Sequence, residues 1–200
     1  MHILHIDSSA NGAASFSRRG SAALVQTLRA RNGDATVTYR DVAASPPPHI
    51  GGAFRASWAV AADQRTPEHV AAIAHSEGLI AELKAADVLV IGAPMYNFSV
   101  PSTLKTWIDH IAVAGQTFRY AEGRPQGLLT GKRALFALAR GGIYSEGPFA
   151  ALDHQESYLK AILGFLGITD VKVALIEGVA RGVDAAEASL ASAIAKVAVA

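Results

Sequence analysis

The sequence predicts an α/β protein, a three-layer sandwich with five parallel strands in one sheet and helices on both faces. Two patterns carry this. Val88-Leu89-Val90-Ile91 is an unbroken run of branched apolar residues, as expected of a strand buried on both sides of a parallel sheet. Short apolar runs of this kind then alternate with longer segments whose apolar residues recur every three or four positions. That is the rhythm of βαβ units. The strand order 2-1-3-4-5 is one solution, with its reversal between strands 1 and 3.

Length and composition set bounds. The 200 residues suit one domain, residues 1–200, able to bury roughly 70% of its unfolded surface. Half the residues are apolar and 18% are charged, which argues against disorder. Net charge is +1 and the pI is about 8.1, with no long run of Lys or Arg, so no nucleic-acid partner is expected. The absence of cysteine excludes thiol catalysis, disulfides and Cys-based metal sites. His69 and His75 stand six apart, not at the i, i+4 spacing of helical metal ligands, so no metal is expected. With no apolar run of 18 residues and no leader before the first strand, the expectation is a soluble, cytoplasmic protein without membrane contact.

The elements follow in order. Residues 3–6 form the first strand, carrying His5. Ser17 is expected to cap a helix over 18–31, with Ala22, Val25 and Leu28 inward and Asn32-Gly33 as its stop. Arg18 and Arg19 lie in its first turn, where the helix dipole disfavours cations, and are expected to point into water. Residues 35–39 read as the second strand. The stretch 43–66 is long and Pro/Gly-rich, with a short helix around 52–61. Its exposed-looking Phe54 and Trp58 suggest a pocket cover or a subunit contact. Thr66-Pro67 opens a helix to residue 85. The central strand is stopped by Gly92 and Pro94, and a helix over 103–114 follows. A Gly/Pro loop reaches residue 131, then come a strand over 132–139 and a long helix over 148–166 stopped by Gly167. A strand over 171–176 and a helix over 185–199 close the chain.

Ligands of open α/β sheets sit beyond the carboxyl ends of the strands, so the strand exits are the candidate site. Exit 1, Asp7-Ser8-Ser9-Ala10-Asn11-Gly12-Ala13-Ala14-Ser15-Phe16-Ser17, is rich in hydroxyls and leads into a helix, a combination suited to a phosphate. It lacks both the dinucleotide glycine fingerprint and the P-loop ending. Exit 3, Met95-Tyr96-Asn97-Phe98, offers stacking surface and an amide to a planar ligand. Exit 4, Arg140-Gly141-Gly142-Ile143-Tyr144, lets backbone N–H groups come close to one.

Together Ser9, Ser15-Phe16-Ser17, Ala93-Pro94-Met95-Tyr96-Asn97-Phe98, Thr117-Phe118-Arg119-Tyr120, Arg140-Gly141-Gly142 and Gly164-Phe165-Leu166-Gly167-Ile168-Thr169-Asp170 resemble the FMN-dependent NADH:quinone oxidoreductase and NADH-azoreductase family over essentially the whole chain. The resemblance implies a flavodoxin-like homodimer with one FMN per subunit and each site close to the partner chain. It implies FMN contacts at Ser9, Ser15, Phe16, Ser17, Met95, Tyr96, Asn97, Phe98, Arg140, Gly141 and Gly142. One departure is visible: Ala139 stands where the family usually has serine.

The resemblance further implies two-electron reduction of quinones by NADH and cleavage of azo compounds to amines, in ping-pong order through the flavin. No catalytic protein acid is assigned, since water can supply the proton. Phe118, Tyr120 and Tyr144, with Phe54 and Trp58, are candidate walls of the substrate space, some from the other subunit. The alternative is a one-electron flavodoxin-type carrier, although such carriers are shorter and strongly acidic. A receiver module lacks its acidic third exit, and a serine hydrolase lacks its Gly-x-Ser-x-Gly elbow.

Overall fold

The computed structural model describes residues 1–199. The main sheet holds β1 (His2–Asp7), β2 (Thr36–Asp41), β3 (Val88–Pro94), β6 (Arg133–Ala139) and β7 (Asp170–Ile176). Its order is β2-β1-β3-β6-β7, every neighbour parallel, which is 2-1-3-4-5 counted within the sheet. α1 (Phe16–Arg31) and α6 (Val183–Val199) cover one face. α3 (Pro67–Ala85), α4 (Ser102–Ile111) and α5 (Glu156–Leu166) cover the other, with α2 (Gly52–Ala59) beside α3.

Alternation on β3 builds the two cores. Val88 and Val90 face α1 and α6, while Leu89 and Ile91 face α3 and α4, and all seven residues of the strand are buried. Such two-sided burial demands the apolar run seen in the sequence. β3 continues through Gly92 to Pro94 rather than stopping at Gly92. Gly92 makes room instead: a Cβ there would lie 2.3 Å from Asp7 Oδ1 and 2.8 Å from Ser21 Oγ.

Several boundaries differ from the sequence reading. α1 begins at Phe16, and its N-cap is Ser15, whose side chain accepts from the Arg18 N–H; Ser17 is already helical. α5 begins at Glu156, not at 148, because Asp153 Oδ1 accepts from Gln155 N at 3.0 Å and Glu156 N at 3.3 Å. That is N-terminal capping by a carboxylate, and it starts the helix there. Phe54 and Trp58 are not exposed walls. Phe54 is 9% exposed in the core, Trp58 packs against it, and Arg65 lies over the Trp58 ring.

The loop after α4 holds a hairpin, β4 (Phe118–Ala121) and β5 (Arg124–Gly127). Glu122 and Gly123 turn it with φ of 52° and 74°, the paired positive φ of a two-residue hairpin turn. Gly127 meets Gly167 so closely that a Cβ on Gly127 would sit 2.2 Å from the Gly167 N. Gly167 caps α5 at φ 104°, a left-handed position that glycine adopts without strain. Both conserve a backbone contact at the end of the sheet where β7 begins.

Candidate active site at the strand exits

Backbone bonds join the exits of β1, β3 and β6 into one surface. Ser8 donates through N (3.1 Å) and Oγ (2.9 Å) to the Gly92 carbonyl, and Met95 N donates to the Ala139 carbonyl at 2.8 Å. Ala10 N donates to Tyr96 Oη at 3.2 Å. These bonds tie the start of the 8–17 loop to the Met95-Tyr96 segment and that segment to the end of β6. Ala139, the departure from the family serine, is 7% exposed and packs in the α1/α6 core.

The first end of this surface is a cradle of hydroxyls. Ser9, Ser15 and Ser17 are 1%, 5% and 0% exposed, and Ser15 Oγ lies 2.9 Å from Ser17 Oγ. The N–H groups of Phe16 and Ser17 open α1 with no acceptor among the described residues. The positive end of a 16-residue helix thus points at this loop, which suits an anion.

Neither arginine of the first α1 turn points into water unpaired. Arg19 forms a bidentate pair with Glu187 and lies over the Phe16 ring. Arg18, with 14% of its side chain exposed, donates to Asp41, to Tyr39 and to the Ser9 carbonyl. The Arg18 bond holds the Asp41 carboxyl below its ordinary range, helped by the Ala43 and Ala44 N–H groups. Behind them, Ser21 Oγ donates to Asp7 Oδ1 at 2.7 Å and contacts His5 Nε2 at 2.9 Å. Tyr39 donates to Asp7 Oδ2, and burial together with the Asp7 charge pushes its phenol up to about 12.

The middle of the surface is strained. Asn97 and Phe98 have φ of 49° and 71°, and Tyr96 and Ser99 bond to each other across them. Two successive side-chain-bearing residues in the left-handed region cost about 1–2 kcal/mol each. The geometry puts the Phe98 ring outward, 42% exposed and 6.1 Å from Tyr144. A second cavity, about 470 Å³, lies on the other side of this turn between Tyr96, Asn97, Lys105 and Tyr158.

At the far end, the carbonyls of Arg140, Gly141 and Gly142 accept from Val179, Ala180 and Gly178 at 3.1, 3.2 and 3.0 Å. The Gly141 and Gly142 N–H groups have no partner among the described residues, so two donors face away from the β7 loop. The Arg140 guanidinium does not reach the surface. With 0% of its side chain exposed, it bonds Gln155 (3.2 Å), Asp153 (2.8 Å) and Glu177 (3.2 Å), with Glu156 3.7 Å away. Burial pushes the Glu177 carboxyl up, but bonds from Ser145, Tyr144 N and Arg140 outweigh this and hold it below its ordinary range. Gln155 in turn donates to the Ala93 carbonyl at 3.1 Å.

Beyond the glycines opens a cavity of about 860 Å³ lined by Phe98, Gly142, Tyr144, Phe149, Leu152 and Arg181 among others. Tyr144 and Phe98 line this cavity together. Phe118 and Tyr120 do not. Phe118 stacks on Phe165 at 4.5 Å, Tyr120 is 69% exposed, and both sit on the hairpin beside Gly167, at the opposite end of the sheet. Residues not singled out in the sequence are Asp41, Asp153, Gln155 and Glu177; for Asp41 and Glu177 the signal was an acid at the exits of β2 and β7.

The chain matches the family model for the flavodoxin-like fold over residues 1–199. A protein of Ralstonia nicotianae named FMN-dependent NADH:quinone oxidoreductase is 52% identical over 194 residues, covering 96% of this chain and 93% of the relative. One of the same name from Herminiimonas arsenicoxydans is 49% identical, covering 94% and 93%. The chain belongs to the family of FMN-dependent NADH:quinone oxidoreductases. This chain shares its fold with solved azoreductases. The azoreductase of Bacillus anthracis superposes with a TM-score of 0.90 at 28% identity, covering 99% of this chain and 97% of that one. An FMN-dependent NADH-azoreductase of that species, solved in complex with FMN, gives 0.86 at 26% identity, covering 99% and 96%.

Proposed function

We propose that this chain is an FMN-dependent NADH:quinone oxidoreductase that also cleaves aromatic azo compounds, working as a homodimer. One observation carries the reading: the strand exits hold two pairs of N–H groups without partners among the described residues, at Phe16 and Ser17 and at Gly141 and Gly142, with the exposed Phe98 ring on the exit of β3. The residues present fit FMN. A phosphate suits the hydroxyl cradle and the helix start, and an electron-rich ring edge suits the glycine N–H groups. Bound FMN would supply the redox chemistry, taking hydride from NADH and delivering two electrons to the acceptor.

The chain's own residues bind and orient. Ser9, Ser15, Phe16 and Ser17 hold the phosphate end, Met95, Tyr96 and Asn97 shape the ring pocket, and Gly141 and Gly142 donate at its far edge. Arg140 serves this edge from behind, by fixing the backbone of the two glycines. Phe98 and Tyr144 offer flat apolar surface to nicotinamide, quinone or azo ligands in the same 860 Å³ cavity. Donor and acceptor then occupy one place in turn, which is the reason for a ping-pong pattern. Phe118 and Tyr120 can line a substrate space only across a dimer, contributing to the partner's site.

The test is spectroscopic and kinetic. Purified protein, reconstituted with FMN, is yellow, bleaches with NADH under nitrogen, and consumes NADH steadily with a quinone, giving parallel double-reciprocal lines. A protein that no added FMN colours would overturn the reading. Intersecting lines would overturn the shared cavity.

A further inference from the structure

We infer that Arg18 is a positioning residue for the cofactor phosphate: it braces the 8–17 loop from behind and makes no contact with the phosphate itself. This rests on the FMN reading above and adds how the phosphate end is built. A guanidinium has five N–H donors, and Arg18 makes five hydrogen bonds. Nε donates to Ser9 O at 3.1 Å and Nη2 to the same oxygen at 2.7 Å. Nη2 and Nη1 then donate to Asp41 Oδ1 at 2.8 Å and Oδ2 at 2.6 Å. Nη1 also reaches Tyr39 Oη at 3.0 Å. No donor remains for a ligand.

Asp41 is itself tied down, accepting from Ala43 N and Ala44 N at 3.0 Å each. The exit of β2 therefore holds Arg18, and Arg18 holds the carbonyl of Ser9 at the start of the cradle. Its charge is matched by Asp41, with Asp7 Oδ2 3.9 Å away. Arg19, the other cation of the first turn, is matched by Glu187. The cradle thus meets a dianion with hydroxyls, N–H groups and a helix dipole, and with no unmatched cation from the first turn of α1. Pairing of this kind is geometric, and lysine cannot reproduce the fork.

Binding to the apoprotein, read by quenching of flavin fluorescence, tests this for FMN and for riboflavin, which lacks the phosphate. In the wild type the FMN dissociation constant changes about twofold or less between roughly 0.05 and 0.5 M salt, since screening acts on unmatched charge. Arg18→Met and Arg18→Lys both weaken FMN about tenfold, the scale of one lost charge-assisted bond. Both leave riboflavin binding unchanged; Arg18→Lys keeps the shallow salt response, while Arg18→Met, which leaves the Asp41 carboxylate unmatched, binds FMN more tightly as salt rises. Circular dichroism melts show whether each variant is folded. Asp41→Asn, which keeps Arg18 but unmatches its charge, makes FMN binding clearly salt-dependent. A steep salt response in the wild type that Arg18→Met abolishes, or full affinity in Arg18→Lys, would show a phosphate contact and overturn the inference. Unchanged FMN affinity in a folded Arg18→Met would overturn it too. Wild-type protein that binds neither flavin would instead sink the FMN reading.

Discussion

Two arginines stand behind the two ends of the candidate site, Arg140 fully buried and Arg18 partly, and they are held differently. Arg140 directly follows β6, with 0% of its side chain exposed and three carboxylates around it. Arg18 sits on a helix, 14% exposed, and answers mainly to one carboxylate. Arg140 ties β6 to the start of α5 through Asp153 and to the end of β7 through Glu177, so the fold itself leans on it. Arg18 ties a loop to an edge strand. The contrast teaches that an arginine at a strand exit can be spent on holding backbone and carboxylates within the fold, and that its burial and partners tell which it holds.

The sharpest way to break this contrast is Arg140→Met. Removing the buried cation leaves Asp153 and Glu177 without their partner, while Glu156 keeps Lys160, and unfolding in urea should show a loss of about 3–5 kcal/mol. A loss no larger than that of Arg18→Met would erase the distinction. Asp153→Ala comes next. It removes one partner of Arg140 and the cap of α5, and should cost about 1–2 kcal/mol by the same measurement.

Phe98→Gly probes the surface between the two arginines and acts in the opposite sense on stability. Glycine relieves the positive φ, so stability should hold or rise by up to about 1 kcal/mol. Loss of the exposed ring should raise KM for quinones several-fold in steady-state assays while kcat falls less. Stability that falls clearly in the melt would show that the ring packs as core.

The smallest effect is in pH dependence. Asp41 and Glu177 both have carboxyls held below their ordinary range in the folded protein. Each contributes stability that is fully present above its unfolded value, near pH 4, and is lost as pH falls through the depressed folded value. Melting temperatures recorded between about pH 6 and pH 3 should therefore decline. The Asp41 share of that decline should shrink in Arg18→Met to what the Ala43 and Ala44 N–H groups supply, and the Glu177 share should remain. An identical slope in both proteins would deny that the Arg18 pair titrates as one unit.

Much of the architecture was legible in the residues. Alternating apolar runs predicted all five strands of the sheet, and Thr66-Pro67 and Gly167 marked helix ends where the structure has them. The order 2-1-3-4-5 came as one solution among several, because a hydrophobic pattern says which face is buried but not which strand is the neighbour. The hairpin at 118–127 went unread because its strands are four residues each and mostly exposed. Its one signal was Glu122-Gly123.

Within the site, local chemistry identified the serines, the aromatic turn and the paired glycines by their types and places in the chain. It misjudged Arg18, Phe54 and Trp58, because whether a charged or aromatic side chain meets water depends on what arrives from distant sequence. Arg18 meets Asp41 across 23 positions, and Arg140 meets Glu177 across 37. The chain by itself determined the elements and the polar character of each strand exit, since these follow from propensity and periodicity over a few residues. Only the tertiary structure decided that the exits of β1, β3 and β6 are bonded to one another and that both arginines are held by carboxylates from distant sequence. Ion pairing needs both partners brought within a few ångströms, and only the assembled sheet does that.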